Sequence, residues 1–430
     1  MNDAAQACVR KRFPRFGVNK QQEISRLVYE ISRRENVGWQ SVLPSADEKS
    51  PEIRYPALRQ ALLRRRYPNL TEEERQAAVL PALDIQPGNR AVFLGEQNRR
   101  QVIPRRFYVE AAVAKKNFAA DLRRRFPDAE FTGITTYKEF HAGRKYCLAE
   151  YNRRLEDFFI VAEKYDFFCP CPCSPGCAPC GYHIFNAGRG CALECVYCFL
   201  PGYMNEPGIV IPGNLEEYFQ RIDGYGQGLR FGSGQFTDSL VFDHITRFSP
   251  RIIDFFRGRP NDIFEFKTKS DAIELILAAP AGENIVISWS LNPQKIIETA
   301  EFFTAGLTAR LDAAKRCAAA GYRVGFHFDP IIFYPEWERD YFAVVDRIFS
   351  SVPPRRVAWI SLGCLRLTLK LKKAIENRFP DNTILNGEMT AGFDGKLRYP
   401  ERVRRDIYKK MRERIAGHDP NVWVYLCMEP

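Results

Sequence analysis

Residues 190–200 read GCALECVYCFL and carry three cysteines in a C-x3-C-x2-C spacing. They follow an apolar run at 182–186 that predicts a β-strand. Three thiolates on one short loop can each bind one iron of a cubic [4Fe–4S] cluster and leave the fourth iron open to a small molecule. Structural zinc closes a tetrahedron with four protein ligands instead. The spacing therefore favours Cys191, Cys195 and Cys198 as cluster ligands over a zinc or structural iron–sulfur site.

Strand-like and helix-like segments alternate regularly beyond this loop. Apolar runs rich in Val, Ile and Phe predict strands at 182–186, 229–233, 263–268, 284–291, 323–332 and 357–363. Helical patterns lie between and after them, at 215–225, 250–257, 271–279, 308–320, 340–349 and 367–376. Continuous apolarity is typical of parallel strands that are covered on both faces. The alternation predicts an α/β fold with a partial (β/α)6 barrel, whose functional residues lie at the carboxyl ends of the strands.

The rest of the sequence divides into further segments. Residues 1–105 predict a basic, mainly helical region, with helices at 24–35, 57–66 and 71–80. Residues 106–168 predict a small α/β unit, with strands at 107–110 and 130–135 and helices at 111–126 and 147–165. Residues 169–180 form a loop rich in cysteine and proline, and residues 181–430 comprise the barrel with a C-terminal extension.

The 430 residues carry a formal charge of +11, and most of the excess lies before the barrel. Residues 1–168 contain 31 Lys and Arg against 22 Asp and Glu, with clusters at 64–66, 99–100, 105–106 and 123–125. Such a region is typical of a surface that binds a polyanion, and a solvated helix face has the same composition. No apolar run is long enough to span a membrane and no secretory pattern begins the chain. We therefore expect a cytoplasmic protein with no membrane partner.

The cysteine loop and the segments after it resemble the radical S-adenosylmethionine superfamily, and within it the spore photoproduct lyase and DNA repair photolyase-like family. The resemblance extends over residues 130–430. It is carried by GCALECVYCFL at 190–200, RF at 230–231, QFTD at 235–238, DH at 243–244, TK at 268–269, WSLN at 289–292 and AAGY at 319–322. It implies a [4Fe–4S] cluster that binds S-adenosylmethionine and cleaves it to a 5′-deoxyadenosyl radical.

The resemblance also implies roles for individual residues. Lys269 is expected to bind the carboxylate of the cofactor and Ser290 to hydrogen-bond the cofactor, with Asp238 assisting. Tyr197, next to the last cluster cysteine, is the catalytic candidate. The implied substrate is nucleic acid, in particular a damaged DNA base that is flipped out of the stack. The implied electron source is an external reductant of the flavodoxin or ferredoxin type, and the oligomeric state is not indicated.

Two residues depart from the family pattern. Gln235 stands where the family carries a cysteine that donates a hydrogen atom, and Phe199 stands where it carries a second tyrosine. Both favour, as an alternative, a radical enzyme that acts on another lesion or on RNA, a peptide or a small molecule. A third hypothesis, from another class, is a non-catalytic nucleic-acid-binding protein with a structural iron–sulfur or zinc site.

A second C-x3-C-x2-C spacing, formed by Cys173, Cys177 and Cys180, precedes the first predicted barrel strand. It follows prolines, and a proline replaces the aromatic residue before its last cysteine, so it is the weaker candidate for the catalytic loop. Together with Cys169 and Cys171 it predicts an auxiliary metal site that holds a second iron–sulfur cluster or zinc. A set of unligated thiols is the alternative.

Overall fold

The structure is a computed structural model that describes residues 2–44, 53–91, 102–144, 146–203 and 206–430. Its contacts divide the chain into two compact units. One unit contains Met1–Arg90, Ile332–Tyr334 and Cys364–Asp406. The other contains Ala91–Ile331, Pro335–Gly363 and Ile407–Pro430, and it includes both cysteine-rich segments.

The unit with the N-terminal residues is built on helices around an apolar core. The helices Val18–Glu35 and Tyr55–Arg66 contribute buried leucine, isoleucine and valine side chains to this core. Arg26 is fully buried and bonds Glu376 at 2.5 Å. A buried charge is tolerated when it is paired in this way, and the pair ties the helix Leu369–Arg378 to the N-terminal helices.

Strands and helices of the described residues are numbered in chain order. The strands are β1 (Arg106–Glu110), β2 (Glu130–Ile134), β3 (Asp157–Val161), β4 (Phe168–Pro170), β5 (Tyr182–Phe185), β6 (Glu194–Cys195), β7 (Ile209–Pro212), β8 (Arg230–Ser233), β9 (Ile263–Thr268), β10 (Ile285–Ser290), β11 (Glu301–Phe302), β12 (Arg323–Ile331), β13 (Val357–Cys364), β14 (Arg366–Leu367), β15 (Thr390–Ala391), β16 (Leu397–Arg398) and β17 (Val424–Leu426). The helices are α1 (Asn2–Arg12), α2 (Val18–Glu35), α3 (Tyr55–Arg66), α4 (Glu72–Gln76), α5 (Asn117–Arg125), α6 (Tyr137–His141), α7 (Leu148–Asn152), α8 (Leu200–Tyr203), α9 (Leu215–Asp223), α10 (Asp243–Thr246), α11 (Phe248–Arg257), α12 (Glu274–Ala278), α13 (Gln294–Ala300), α14 (Leu307–Ala319), α15 (Trp337–Ser351), α16 (Leu369–Arg378) and α17 (Glu401–Ala416). Within the described ranges, none of these helices has the length and apolarity needed to cross a membrane.

Eight strands form one curled sheet in the order β17-β13-β12-β10-β9-β8-β5-β4. The neighbours from β5 to β12 pair in parallel register. At the two edges, β4 is antiparallel to β5 and β17 is parallel to β13. Every residue of β10 and β13 is buried, as continuous apolarity predicts for strands covered on both faces. The sheet confirms the predicted α/β fold with a partial (β/α)6 barrel.

A second sheet has four parallel strands in the order β2-β1-β3-β7. Its first two strands confirm the strands predicted at 107–110 and 130–135. The helix predicted at 147–165 is wrong in its second half, because Asp157–Val161 forms β3. The residues DFFIV lie between two neighbouring strands and four of the five are buried. A short run that is apolar on both faces lacks the alternation that identifies a strand.

Candidate active site

The cysteine loop at 190–200 begins with a tight turn after β5. Gly190 has a φ of 92°, a backbone conformation that favours glycine. A Cβ atom at this position would lie 2.8 Å from Ile209 Cδ1, so a side chain would also collide with β7. Gly190 N donates to Phe236 O at 2.9 Å, which ties the start of the loop to the segment after β8. The loop is thereby held at the carboxyl end of the first barrel strand.

Arg154 holds the backbone of this loop from the other side. Its side chain is almost fully buried and donates to Cys191 O at 2.7 Å and to Leu193 O at 3.1 Å. It also pairs with Glu194 at 2.7 Å. The planar guanidinium has enough donors to make all three contacts at once. Sequence reasoning missed Arg154, because it precedes Cys191 by 37 residues and no pattern connects the two.

The three thiols of the loop fit a cluster. Cys191 and Cys195 are buried and Cys198 is half-buried. The thiols are close enough to influence one another's ionisation. Burial, followed by the carboxylate of Asp238 and the thiol of Cys198, raises the pKa of Cys191 to about 12. Thiolates therefore form here only beside positive charge, which the irons of a cluster supply.

The spacing of the thiols also bears on the kind of metal centre. Across the parts of the chain that the structure describes, no three Cys, His, Asp or Glu side chains are spaced to ligate one metal ion. Each thiolate of a cubic cluster binds a different iron, so its ligands lie farther apart than those of a single ion. The loop also offers three thiols, one fewer than a closed zinc site needs, so the arrangement at 191–198 is better matched to a [4Fe–4S] cluster with one open iron.

Lys269 follows β9 and directs its ammonium group toward the cysteine loop. Its Nζ atom lies 5.6 Å from the centre of the Tyr197 ring. Burial alone would lower the pKa of Lys269, but the Cys195 thiol and the Glu301 carboxylate outweigh burial and raise it. The ammonium group stays charged and lies next to the position where a cluster-bound ligand would be held.

Asp238 lies after β8 and is 9% exposed. Its carboxylate accepts hydrogen bonds from Lys269 N and Thr268 Oγ1, both at 2.7 Å. It accepts two more from Leu240 N at 2.9 Å and Val241 N at 3.1 Å. Because all four partners belong to the protein, Asp238 fixes the end of β9 and thereby the position of Lys269.

Ser290 ends β10 at the same edge of the sheet. Trp289 of β10 pairs with Thr268 of β9. Ser290 and Lys269 are the next residues on the two chains, so they lie side by side at this edge. The carbonyl of Ser290 accepts from Arg310 at 2.8 Å. Its hydroxyl has no hydrogen-bond partner among the described residues and remains available to a ligand.

Tyr197 is part of a buried polar network. Its hydroxyl donates to Glu301 and accepts from Asn292 Nδ2 at 3.2 Å. Glu301 also accepts from Asn292 at 2.8 Å and from Arg310 at 2.6 Å. Burial alone would raise the pKa of Glu301, but Arg310 and Lys269 lower it to about 2, so the carboxylate is charged. The network fixes the direction of the phenol.

Glu301 also supports the loop through its backbone. The strand β11 is antiparallel to β6, which places Glu301 opposite Cys195. The adjacent Val196 N donates to Ala300 O at 2.9 Å. Sequence reasoning missed Glu301 and Arg310, because a charged residue at the end of a helix usually faces solvent. Only the tertiary structure brings the two beneath the loop.

The two departures from the family pattern lie beside the loop. The Phe199 ring contacts Tyr203 and Phe236, with ring centres 5.4 and 6.4 Å apart. Gln235 is half-buried and precedes Phe236, whose carbonyl accepts from Gly190 N. Both substitutions therefore affect the carboxyl edge of the barrel, where the expected chemistry takes place.

The five cysteines at 169–180 lie at the amino end of β5. Cys169 belongs to β4, opposite Ile184 of β5. The other four follow β4 in a segment without regular structure, and the Sγ atoms of Cys171 and Cys173 are 3.8 Å apart. Because this segment leads into β5 and the cysteine loop at 190–200 follows it, the two groups flank opposite ends of the strand.

The barrel interior contains a buried charged network. Glu265 accepts from Arg230 at 2.8 Å, from Ser288 at 2.5 Å and from His327 Nε2 at 2.7 Å. Burial and the nearby Lys267 lower the pKa of His327 to about 4, so the imidazole is neutral at pH 7. The Nε and NH1 atoms of Arg230 are buried and lack a partner among the described residues. Two donors are thus available inside the barrel to a bound group or a water molecule.

The basic clusters are partly used within the protein. Arg66 bonds Glu30 at 2.8 Å in a buried site, and Arg106 bonds Asp157 at 2.6 Å nearer the surface. The cluster predicted at 99–100 lies outside the described residues. Part of the positive charge before the barrel therefore stabilises the fold, and less of it faces a polyanion than composition indicates.

A three-cysteine loop at the carboxyl end of the first strand of a curled, parallel half-barrel defines the class of radical S-adenosylmethionine enzymes. The family model described as spore photoproduct lyase matches residues 177–424, which is more than half of the chain. The chain therefore belongs to the spore photoproduct lyase family and is a radical S-adenosylmethionine enzyme.

Individual relatives agree with this assignment. Spore photoproduct lyase of Geobacillus sp. is 25% identical over 260 residues, which cover 57% of this chain and 76% of the relative. That of Bacillus subtilis is 29% identical over 210 residues, which cover 47% of this chain and 61% of the relative. Spore photoproduct lyase complexed with dinucleoside spore photoproduct has a TM-score of 0.65 and 21% identity over 76% of this chain and 100% of that chain. A variant with bound AdoMet and dinucleoside spore photoproduct has a TM-score of 0.64 and 22% identity with the same coverage. These structures share the fold.

Family membership confirms the resemblance, the fold class and the prediction of a radical enzyme. The alternatives, namely another substrate class and a non-catalytic binding protein, are not favoured by these comparisons. The roles of individual residues and the second metal site stay predictions.

Proposed function

We propose that this chain repairs a damaged base in DNA by radical chemistry that starts at the cysteine loop. One observation carries the proposal: the three loop cysteines, Lys269 and Ser290 meet at the carboxyl edge of the barrel. The relatives are spore photoproduct lyases, and one solved relative holds a dinucleoside lesion, which supports a DNA lesion as the substrate. A [4Fe–4S] cluster and S-adenosylmethionine, when bound, supply a 5′-deoxyadenosyl radical that removes a hydrogen atom from the substrate.

The residues of the edge bind and orient the cofactor. The three loop cysteines hold the cluster. Lys269 pairs with the carboxylate of S-adenosylmethionine, since its ammonium is charged and directed to the loop. Ser290 donates its unused hydroxyl hydrogen to the same ligand. Asp238 acts as a positioning residue, because its carboxylate holds the backbone of Lys269 at 2.7 Å.

Tyr197 is the catalytic candidate of the site. Its ring faces Lys269 and its phenol is directed by Glu301. A side chain fixed next to the cofactor position restricts which atoms the 5′-deoxyadenosyl radical can reach. A buried ring also excludes water from the site. Glu301 supports this role as a positioning residue.

The substrate reaches the site as a base flipped out of the duplex. A base that stays stacked in the duplex cannot enter the site at the carboxyl edge of the barrel. Exposed arginines before the barrel bind phosphates. An external protein of the flavodoxin or ferredoxin type supplies the electron, and we expect the enzyme to act in the cytoplasm.

Anaerobic turnover on defined oligonucleotides tests this proposal. The protein is reconstituted with iron and sulfide, reduced with dithionite and given S-adenosylmethionine. The DNA contains the spore photoproduct, a cyclobutane thymine dimer or no lesion. We expect 5′-deoxyadenosine and restored thymine on one damaged DNA, and neither product from Cys198→Ala. Formation of 5′-deoxyadenosine without repair of any damaged DNA would contradict the proposed substrate.

Gln235 offers a sharper test of the lesion. It has no thiol hydrogen to return to a repaired base. If the spore photoproduct is the lesion, we expect Gln235→Cys to increase the thymine restored per 5′-deoxyadenosine, while Gln235→Ser does not. An unchanged ratio in Gln235→Cys would show that the chain completes the reaction with another hydrogen donor.

A further inference from the structure

Four cysteines are grouped in the irregular segment at the amino end of β5. Cys171, Cys173, Cys177 and Cys180 are each half-buried and lie in the irregular stretch at 171–181. Three prolines interrupt this stretch, and its backbone is joined to the rest of the chain from Cys171 N to Tyr182 O at 2.8 Å and from Ala178 N to Glu429 O at 3.1 Å. A loop of this kind is stabilised further when its thiols share a metal ion.

One pair of thiols has the separation that one tetrahedral ion requires. The Sγ atoms of Cys171 and Cys173 are 3.8 Å apart. With a Zn–S bond of about 2.3 Å, the edge of a tetrahedron is about 3.8 Å. The thiols of Cys171 and Cys180 are also close enough to interact electrostatically.

The second pair has the spacing of a zinc knuckle. Cys177 and Cys180 are separated by two residues, and Gly181 follows with a φ of 70°. The spacing C-x2-C is common among structural zinc ligands, and a residue with positive φ turns the chain after the second thiolate.

Cys169 is distinct from these four. It is part of the regular ladder between β4 and β5, opposite Ile184, and burial and the Asp166 carboxylate raise its pKa. The fifth cysteine of the segment is therefore held by the sheet, and the other four cysteines lie outside the strand.

We infer that Cys171, Cys173, Cys177 and Cys180 bind one structural Zn²⁺. The four thiols lose their protons to solvent and form four Zn–S bonds, and the nearby Lys267 offsets part of the resulting negative charge. No described trio of side chains is already closed around a single ion, so the proposal requires the four thiols to come closer together when the ion binds. A second [4Fe–4S] cluster is the alternative, but its ligands lie farther apart than the 3.8 Å pair.

The zinc site would fasten the open side of the half-barrel. Ala178 N donates to Glu429 O at 3.1 Å, which joins this segment to the residues after β17. Cys180 lies within electrostatic range of Tyr425, whose hydroxyl accepts from Arg230 at 2.9 Å. The ion thereby fixes the last strand against the interior of the barrel.

Metal analysis of the full-length chain tests this inference. The protein is purified without oxygen from cells supplied with zinc and iron, and both metals are measured by mass spectrometry. We expect about one zinc per chain in addition to cluster iron. Cys180→Ser and Cys173→Ser should lose the zinc and keep the iron, whereas Cys198→Ala should lose the iron and keep the zinc. Cys169→Ser is the matched control and should keep both metals.

Two outcomes would overturn the inference. The first is equal zinc in the wild type and in Cys180→Ser. The second is a loss of iron, in place of zinc, from Cys180→Ser, which would assign a cluster to the segment. Neither outcome affects 5′-deoxyadenosine formation by the wild type, so failure here is separate from failure of the proposed function.

A measurement on the wild-type chain covers the case in which the variants do not fold. The zinc is exchanged for Co²⁺, and we expect the visible absorption of a tetrahedral thiolate complex. A spectrum of octahedral cobalt would overturn the inference. Chelation should also increase amide hydrogen exchange in the peptide that contains Ala178 by at least tenfold, while the peptide that contains Gly190 stays unchanged.

Discussion

The chain carries the same C-x3-C-x2-C spacing twice, at 173–180 and at 191–198, and the two copies have very different surroundings. The second copy is largely buried, and Arg154 and Glu301 support its backbone. The first copy is half-buried and lies among prolines in a segment without regular structure. Only the second adjoins a charged lysine at the carboxyl ends of the strands.

The difference shows that spacing alone does not select a metal centre. Spacing determines how many thiolates can converge, whereas the neighbouring residues determine which charge and which open position the centre has. A loop that is held in place on three sides can leave one iron unligated. The zinc site that we infer at 171–180 would instead use a closed set of four ligands.

The largest effect is expected from Cys198→Ala, which removes one ligand of the supported loop. We expect 5′-deoxyadenosine formation to fall below detection, because a two-thiolate loop cannot retain the cluster. Chromatography of anaerobic reactions measures the product. Cys169→Ser is the control and should form 5′-deoxyadenosine at the wild-type rate. If Cys198→Ala formed as much 5′-deoxyadenosine as the wild type, the catalytic cluster would have to be assigned to the copy at 173–180.

The next effect is expected from Glu301→Gln, which weakens the support under the second copy. Glu301 is 2% exposed and bonds Arg310 at 2.6 Å, so its replacement leaves a buried guanidinium without a charged partner. We expect the free energy of unfolding to fall by about 3–5 kcal/mol. Urea titration of the apoprotein measures it. Glu298→Gln, on the exposed side of α13, should change it by less than about 0.5 kcal/mol.

The barrel interior lies between the two copies, and we expect its contribution to the stability of the fold to depend on pH. Burial lowers the pKa of His327 to about 4, below the value of about 6.5 in the unfolded chain. The unfolded state then binds more protons between these values, so stability is complete above pH 6.5 and is lost as the pH falls toward 4. The loss is about 3 kcal/mol, from about 1.4 kcal/mol for each unit of pKa.

Unfolding free energies of the wild type and His327→Gln between pH 4 and 7 measure this contribution. The variant should show a weaker dependence on pH over this window. His418→Gln, which alters a surface histidine, should retain the slope of the wild type. Equal slopes in His327→Gln and the wild type would argue that His327 is already protonated in the folded state.

The smallest effect is expected from Lys269→Gln, which leaves the cluster loop intact. A charge-assisted hydrogen bond contributes about 1.5–3 kcal/mol, so the Kd for S-adenosylmethionine should rise by roughly 10- to 150-fold. Equilibrium binding to the reconstituted protein measures it. Lys267→Gln lies two residues earlier on the same strand and should leave this Kd within about twofold of the wild type. An unchanged Kd in Lys269→Gln would exclude the assigned role.

Sequence patterns predicted the features that depend on residues close together in the chain. The cysteine loop is marked by its spacing, and the barrel strands are marked by continuous apolarity over several residues. The prediction of helix at Asp157–Val161 was wrong, because a run of five residues, four of them buried, is too short to show a period.

The support of the site could not be predicted in the same way. Arg154 and Glu301 are distant in sequence from the cysteines they hold, and each is an ordinary charged residue in its own segment. The role of Asp238 was only partly anticipated. The resemblance placed it near the cofactor, but its four hydrogen bonds to the protein are visible only in the folded chain.

Electron paramagnetic resonance of the reduced cluster tests most directly whether the copy at 191–198 holds the catalytic centre. Spectra are recorded before and after S-adenosylmethionine is added, for the wild type and for Cys177→Ser, which alters only the first copy. The account predicts a cluster signal in both proteins and the same change in both when S-adenosylmethionine binds. A signal that is absent from Cys177→Ser, or that does not respond to S-adenosylmethionine in the wild type, would contradict it.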